Sequence, residues 1–252
     1  MNQIKWPTGF GCDDVVGWGN FGLVCLDSAS TTVVKSPHLE EDAEAIRIEK
    51  AIYERFEEHG SHVGVLRYLG SYESGLRLEF ASNYDLQTRL QNLGGEIALE
   101  RRLRWAQQIT DAVAFIHSTG VIHGDLQCGN ILLDHDLNAK VADFAGSSLD
   151  GSPLLVAVTV SHRYPGPLLS KLADIFALGS TLFEVICGQT PYHGRSHKEI
   201  QELFQESKFP ETKCLGPIGD VITDCWQGKY TSVNDVSRSI ECKLFSFTIC
   251  CL

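Results

Sequence analysis

The chain has 252 residues, 43% hydrophobic and 21% charged, which suits one or two globular domains with a sizeable buried core. Asp and Glu outnumber Lys and Arg by 32 to 21, for a formal charge of −11; this excludes broad binding to nucleic acid or anionic membrane surfaces, and no apolar run reaches the roughly 20 residues that span a bilayer. The nine cysteines (Cys12, Cys25, Cys128, Cys187, Cys214, Cys225, Cys242, Cys250, Cys251) are odd in number and form no C-x-x-C pair, so with no signal peptide read at the start the expectation is reduced thiols in a soluble intracellular protein, cytoplasmic with the nucleus as an alternative.

Residues 1–11 carry no assignment. Gly17-Trp18-Gly19-Asn20-Phe21-Gly22-Leu23-Val24 fits G-x-G-x-x-G-x-V, where glycines let backbone approach a phosphate closely. Strand-like stretches follow it, Leu23–Leu26 and Thr31–Val34, so a dinucleotide-binding turn leading into a helix does not fit. Lys35 ends the second strand. The spacing predicts a helix over Glu41–Phe56, with Ala45, Ile46, Ile48, Ile52, Tyr53 and Phe56 on one arc. Glu49 falls inside that arc, and a carboxylate buried there needs a cation. Lys35 is the natural partner; the alternative is that Glu49 reaches out to solvent. Strands are predicted over Val65–Tyr72 and Leu76–Phe80, and a helix over Glu100–Ser118 that Gly120 ends. Asp85 has the position of an N-cap for the helix that follows it.

Val121–Gly146 is the centre of the chain. Ile131–Leu133 and Ala139–Ala142 read as two short buried strands joined by the turn Asp134–Asn138. Such a hairpin holds Asn130 and Asp143 side by side, with Asp125 on the preceding loop. Oxygen ligands of this kind suit Mg²⁺ with substrate phosphates, and a carboxylate beside them can take a proton from a hydroxyl. Ser147–Ser170 is rich in Ser and Gly, and a long apolar helix is predicted over Ala173–Ile186. Within it, Asp174 is either a helix N-cap or a buried acceptor that needs donors. Asp224-Cys225-Trp226 and a helix near Ser232–Phe245 read as packing elements. The apolar close, Leu244–Leu252, has no account beyond packing or a truncated end. No internal repeat or long linker is visible.

The order of these features resembles the eukaryotic protein kinases. H-R-D-L-x-x-x-N corresponds to His123-Gly124-Asp125-Leu126-Gln127-Cys128-Gly129-Asn130, D-F-G to Asp143-Phe144-Ala145, V-A-I-K to Thr32-Val33-Val34-Lys35, and D-x-W-x-x-G to the segment from Asp174. The resemblance covers about Gly17 to Leu244. It implies an α+β, bilobal fold in a single domain over 1–252: a small β-rich N-lobe (about 11–81) with one main helix, and a larger, mostly helical C-lobe (about 82–252). It further implies ATP and Mg²⁺ as cofactors and a protein as substrate. Asp125 would be the catalytic base, and Lys35 would grip the α- and β-phosphates, oriented by Glu49; Asn130 and Asp143 would hold the metal. Gly17, Gly19, Asn20, Phe21, Gly22, Val24, Val33, Lys35, Leu78 (as gatekeeper), Glu79, Ala81, Asp85 (at the ribose) and Leu132 would line the nucleotide site.

The pattern is broken near the chemistry. Gly124 replaces the arginine that pairs with a phosphorylated activation segment, and Gln127 replaces the lysine of many Ser/Thr kinases. Ala145 replaces the D-F-G glycine, and Pro165-Gly166-Pro167-Leu168 carries no A-P-E glutamate. Ser161, three residues before Tyr164, points to Ser/Thr substrates. The alternatives are a pseudokinase acting as a nucleotide- or partner-binding scaffold and a small-molecule kinase of related fold; oligomeric state is not readable.

Overall fold

The computed structural model describes residues 5–250, with the side chains of residue 94 and of 244–250 left out. The chain opens with a five-stranded antiparallel sheet ordered β1-β2-β3-β5-β4. Its strands are β1 (Val15–Trp18), β2 (Gly22–Asp27), β3 (Thr32–Pro37), β4 (Tyr68–Tyr72) and β5 (Gly75–Glu79). Helix α1 (Ala43–Glu58) crosses it between β3 and β4. The periodicity that predicts α1 is also what buries it: Ala45, Ile46, Ile52, Tyr53 and Phe56 all face the core, and so does Glu49. The helix starts two residues later than the predicted Glu41, because Glu40–Asp42 forms a 3-10 turn.

The remainder is mostly helical. It comprises α2 (Leu86–Leu93), α3 (Leu99–Ser118), the short strand β6 (Val121–Ile122), the hairpin β7 (Ile131–Leu133) and β8 (Ala139–Val141), and β9 (Ser148–Leu149), which pairs with β6. Then come α4 (Lys171–Cys187), α5 (His197–Gln205), α6 (Pro217–Trp226) and α7 (Val233–Cys250). Together with the N-terminal sheet this is a bilobal arrangement. The packing of the apolar close, Leu244–Leu252, lies outside the described side chains.

Helix α4 is buried nearly all round, as its sequence requires. Ser170 Oγ caps it by accepting from Ala173 N at 3.1 Å, and Gly188, at φ 79°, closes it in the left-handed conformation. Trp226 of α6 donates to Ser180 Oγ on α4 at 3.0 Å, a polar contact inside the helical core.

The predicted strand Val65–Tyr72 is shorter than expected, and its first part belongs elsewhere. Leu66 N donates to Val141 O at 3.0 Å and Val141 N to Gly64 O at 2.8 Å. Residues 64–66 therefore ladder onto β8 of the helical lobe, and only Tyr68–Tyr72 joins the sheet. Val65 and Leu66 look like a strand in sequence because they are buried on both sides.

No described helix is long and apolar enough to cross a membrane.

Candidate active site

Strand β3 and helix α1 set the first half of the site. Lys35 pairs with Val24 across β2–β3 and is 6% exposed. Its Nζ lies 2.7 Å from Glu49 Oε2 and 2.6 Å from Asp143 Oδ1. Glu49 is fully buried, so the solvent alternative does not hold. Its other oxygen accepts from Phe144 N at 3.1 Å. Burial alone would lower the Lys35 ammonium, but the charges of Glu49 and Asp143 more than offset it and raise its pKa. Burial pushes the Glu49 carboxyl up, with Lys35 working against that rise. Lys35 holds the Asp143 carboxyl below the usual carboxylate range. Asp143 sits at φ 63°, with its carboxylate 43% exposed toward the cleft. Phe144 is buried edge-on to Tyr53 and Phe56, with ring centroids at 5.3 and 5.1 Å.

The second half is the loop from His123 to Asn130. Asp174 of α4 is 1% exposed and acts as its buried anchor. Its Oδ2 accepts from His123 N at 2.8 Å and from His117 Nε2 at 2.9 Å, and its Oδ1 accepts from Gly124 N at 2.9 Å. Burial would raise this carboxyl, but those donors and the nearby His123 leave it lowered. The N-cap alternative for Asp174 fails, since Ser170 does that work. Gly124 is held at φ 77°, a left-handed backbone that a glycine adopts without strain. Asn130 Nδ2 donates to Asp125 O at 2.8 Å and to Asp125 Oδ2 at 3.0 Å, and Gln127 Nε2 donates to the same Oδ2 at 2.8 Å. Asp125 Oδ1 has no hydrogen-bond partner among the described residues. The hairpin is tied to α3 through Gln108, whose Oε1 accepts from Ala139 N at 2.9 Å and whose Nε2 donates to Asn138 Oδ1 at 3.0 Å. Trp105 Nε1 adds a bond to Leu137 O at 2.7 Å.

Both nitrogen-bound hydrogens of Asn130 are engaged, so its amide oxygen is the end left for a cation. With the Asp143 carboxylate it makes a two-oxygen set, which fits Mg²⁺ completed by substrate phosphates. Asn20 and Phe21 from the glycine-rich turn close over Asp125, Asn130 and Asp143, and Val156 completes a gap of about 10 Å³. Gly19 N donates to Gly22 O at 2.9 Å, making the turn. A Cβ on Gly22 would lie 2.6 Å from Ser36 O, so only glycine fits there. Gly17 pairs with Val24, and Val33 with Leu78. Val24, Ala81 and Leu132 are partly buried against the core. Glu79 N donates to Arg67 O at 3.0 Å. Asp85 caps α2: its Oδ1 accepts from Thr88 N at 2.8 Å and its Oδ2 from Thr88 Oγ1 at 2.7 Å.

Three residues were missed in the sequence: Leu154, Val156 and Thr159. Ser161 is buried against its neighbour His162, at 3.0 Å from Nδ1, and among the described residues its hydroxyl makes no hydrogen bond to the loop. Thr159 does, through Gln127 Oε1 at 3.2 Å. The signal available was the continuous apolar run from Leu154 to Val158, set beside the glycine at 124.

The sequence pattern of the protein kinase domain matches residues 11–247. Megakaryocyte-associated tyrosine-protein kinase of Rattus norvegicus is 27% identical over 228 residues, covering 85% of this chain and 48% of that protein. Serine/threonine-protein kinase PDK1 of Cryptococcus neoformans var. grubii is 29% identical over 171 residues, 60% of this chain and 14% of that protein. The serine/threonine-protein kinase SIK3 homolog of Danio rerio is 34% identical over 127 residues, 46% and 10% respectively. The chain thus spans about half the length, or much less, of these relatives. A family pattern running through almost the whole chain agrees with the two lobes and with the buried Lys35–Glu49 pair: this chain belongs to the protein kinase family.

Proposed function

We propose that the chain transfers the γ-phosphoryl of ATP to a Ser or Thr hydroxyl of a protein. The observation that carries this reading is the convergence of Lys35, Glu49 and Asp143 within ion-pair distance, beside a buried Asp125 oxygen with no hydrogen-bond partner among the described residues. Lys35 binds the α- and β-phosphates, and Glu49 keeps its ammonium in place. Asp143 and the Asn130 amide oxygen hold Mg²⁺, which when bound neutralises charge on the phosphates. Asp125 Oδ2 is fixed by Gln127 and Asn130, which leaves Oδ1 to accept the substrate hydroxyl's hydrogen bond and then its proton. Val33, Leu78 and Leu132 supply apolar surface for the adenine, with the backbone at Glu79 and Ala81 at its edge. Asp85 faces the ribose only if it gives up its cap on α2.

A Ser/Thr preference is supported by two of the relatives' names, while the relative that covers more of this chain is named a tyrosine-protein kinase. Phosphoamino-acid analysis of a labelled protein mixture tests this, and phosphotyrosine alone would overturn it. The transfer reading is tested with Asp125→Asn. Incorporation present in the parent and lost in the variant supports it. A second reading, a nucleotide- or partner-binding scaffold, is favoured by the narrow gap between Phe21, Val156 and the two aspartates. ATP binding with no incorporation in either protein would select that reading.

A further inference from the structure

Two of the positions where this chain departs from the kinase pattern, Gly124 and Gln127, are met by one extended stretch of residues 147–170. Along that stretch Ser152, Leu154, Val156 and Val158 are half-buried, while Gly151, Pro153, Leu155 and Ala157 are exposed. A period of two is what an extended chain gives when one face packs. Leu154 occupies the space beside Gly124: a Cβ built on that glycine would overlap Leu154 Cδ2 and lie 3.3 Å from its Cδ1. Val156 sits in the same way on Gly146, where a Cβ would lie 2.9 Å from Val156 Cγ1. Between them, Leu155 N donates to Gly146 O at 3.0 Å. Further along, Thr159 Oγ1 donates to Gln127 Oε1 at 3.2 Å, and Gln127 Nε2 donates to Asp125 Oδ2 at 2.8 Å. An amide held at both ends has one orientation, so Thr159 reaches Asp125 through a single side chain. The start of the segment is tied to α1, with Arg55 Nη2 at 2.9 Å from Asp150 Oδ2.

We infer that residues 154–159 brace the catalytic loop directly, Leu154 by filling the space at Gly124 and Thr159 by orienting Gln127, so that Asp125 is aligned with no phosphate on the segment. This rests on Asp125 acting as the base under the proposed function. Leu154, Gln127 and Thr159 are positioning residues: none of them touches the reacting atoms. An apolar plug does the mechanical work that an arginine–phosphate pair does elsewhere, without a charge and without a modification. Salt therefore does not loosen it. The two solutions exclude one another, because a side chain at 124 would have to expel Leu154 and take up a left-handed backbone.

The test uses the full chain, treated with phosphatase and checked by mass for the absence of phosphate. Hydrogen exchange at the Leu155 amide reads the brace, and kcat and KM for ATP on a protein substrate read the alignment. The unphosphorylated parent is expected to protect Leu155 and to transfer phosphate at its full rate. Leu154→Ala should raise exchange at Leu155 by about tenfold or more, since it removes the packing that closes the segment. Thr159→Val should lower kcat about three- to tenfold, the worth of one hydrogen bond, with KM for ATP within about twofold. Thr159→Ser should restore it. The inference is overturned if the phosphate-free segment exchanges freely, if phosphatase abolishes transfer, or if Thr159→Val leaves kcat unchanged. It is equally overturned if Thr159→Ser fails as Val does. A parent that protects Leu155 but transfers nothing would sink the proposed function, and the exchange comparison would still judge the brace.

Discussion

Replacing Glu49 with Gln removes one charge from a buried cluster without changing its shape. In the parent, Glu49 is fully buried, with one oxygen 2.7 Å from Lys35 Nζ and the other accepting from Phe144 N at 3.1 Å. Breaking a buried ion pair costs about 3–5 kcal/mol when the partner is left uncompensated. Lys35 is not left so, because Asp143 remains 2.6 Å away, and removing Glu49 also relieves the repulsion between the two carboxylates. The amide oxygen keeps the bond from Phe144 N only by turning its NH2 toward the Lys35 ammonium, so the bond accepted from Lys35 is lost. The expected loss is therefore about 1.5–3 kcal/mol, the range for a hydrogen bond to a charged group. Asp143→Asn is the informative contrast. Its carboxylate is 43% exposed, so solvent screens it and the cost should stay below about 1 kcal/mol, although transfer should vanish. Urea unfolding of both variants at pH 7, with m unchanged, measures the difference. If Glu49→Gln proves no less stable than Asp143→Asn, the account of the cluster as a buried pair with a screened third member is wrong.

Asp174→Asn should lower transfer more than stability, because it puts an N–H where the backbone of His123 or Gly124 now donates; hydrogen exchange at those two amides should rise in parallel, and unaltered exchange would refute the anchor. Burial pushes His162 down to about 3 from an ordinary 6.5, so the unfolded chain takes up a proton that the folded one refuses. Stability should therefore fall as pH drops from 6.5 toward 3, by at most about 1.4 kcal/mol per pH unit from this residue. His162→Gln should flatten that limb of a denaturation-versus-pH profile, and an unchanged slope would show that His162 is protonated when folded. Arg55→Ala cuts the pair with exposed Asp150 and the bond to Thr119 O at 3.1 Å. It should leave global stability nearly unchanged, as solvent screens an exposed pair, while speeding limited proteolysis between residues 147 and 160; no change in cleavage would remove α1 from the set of segment anchors.

Much of the site was legible because burial and chemistry conflict in it. Glu49 in an apolar arc demanded a cation, and Asp174 in an apolar helix demanded donors; both found them. The hairpin β7–β8 was readable from two apolar triplets around an acidic turn. What escaped depended on partners remote in sequence. Val65 and Leu66 continue the pattern of β4, yet pair with β8, and nothing local marks the change of partner. Thr159 rather than Ser161 reaches the loop from His123 to Asn130 because of how residues 154–158 lie on two glycines, which spacing from Tyr164 does not encode. Helices α5 and α6 were different, since their signals were present and unused. Ser196 and Glu199 form a capping box, and Pro217 stands at the first position of α6.

The ladder between residues 64–66 and β8 has a mechanical consequence. It fastens the loop after α1 to the larger lobe, so if the sheet tilts away, the far end of α1 is the pivot and the helix swings as a lever. Glu49 lies nine residues before Glu58, about 13 Å along the axis at 1.5 Å per residue. A tilt of roughly 10° would carry it about 2 Å, enough to part it from Phe144 N while Lys35 travels with it. Opening the jaws of the cleft and disengaging Asp143 from the lysine would then be one movement rather than two.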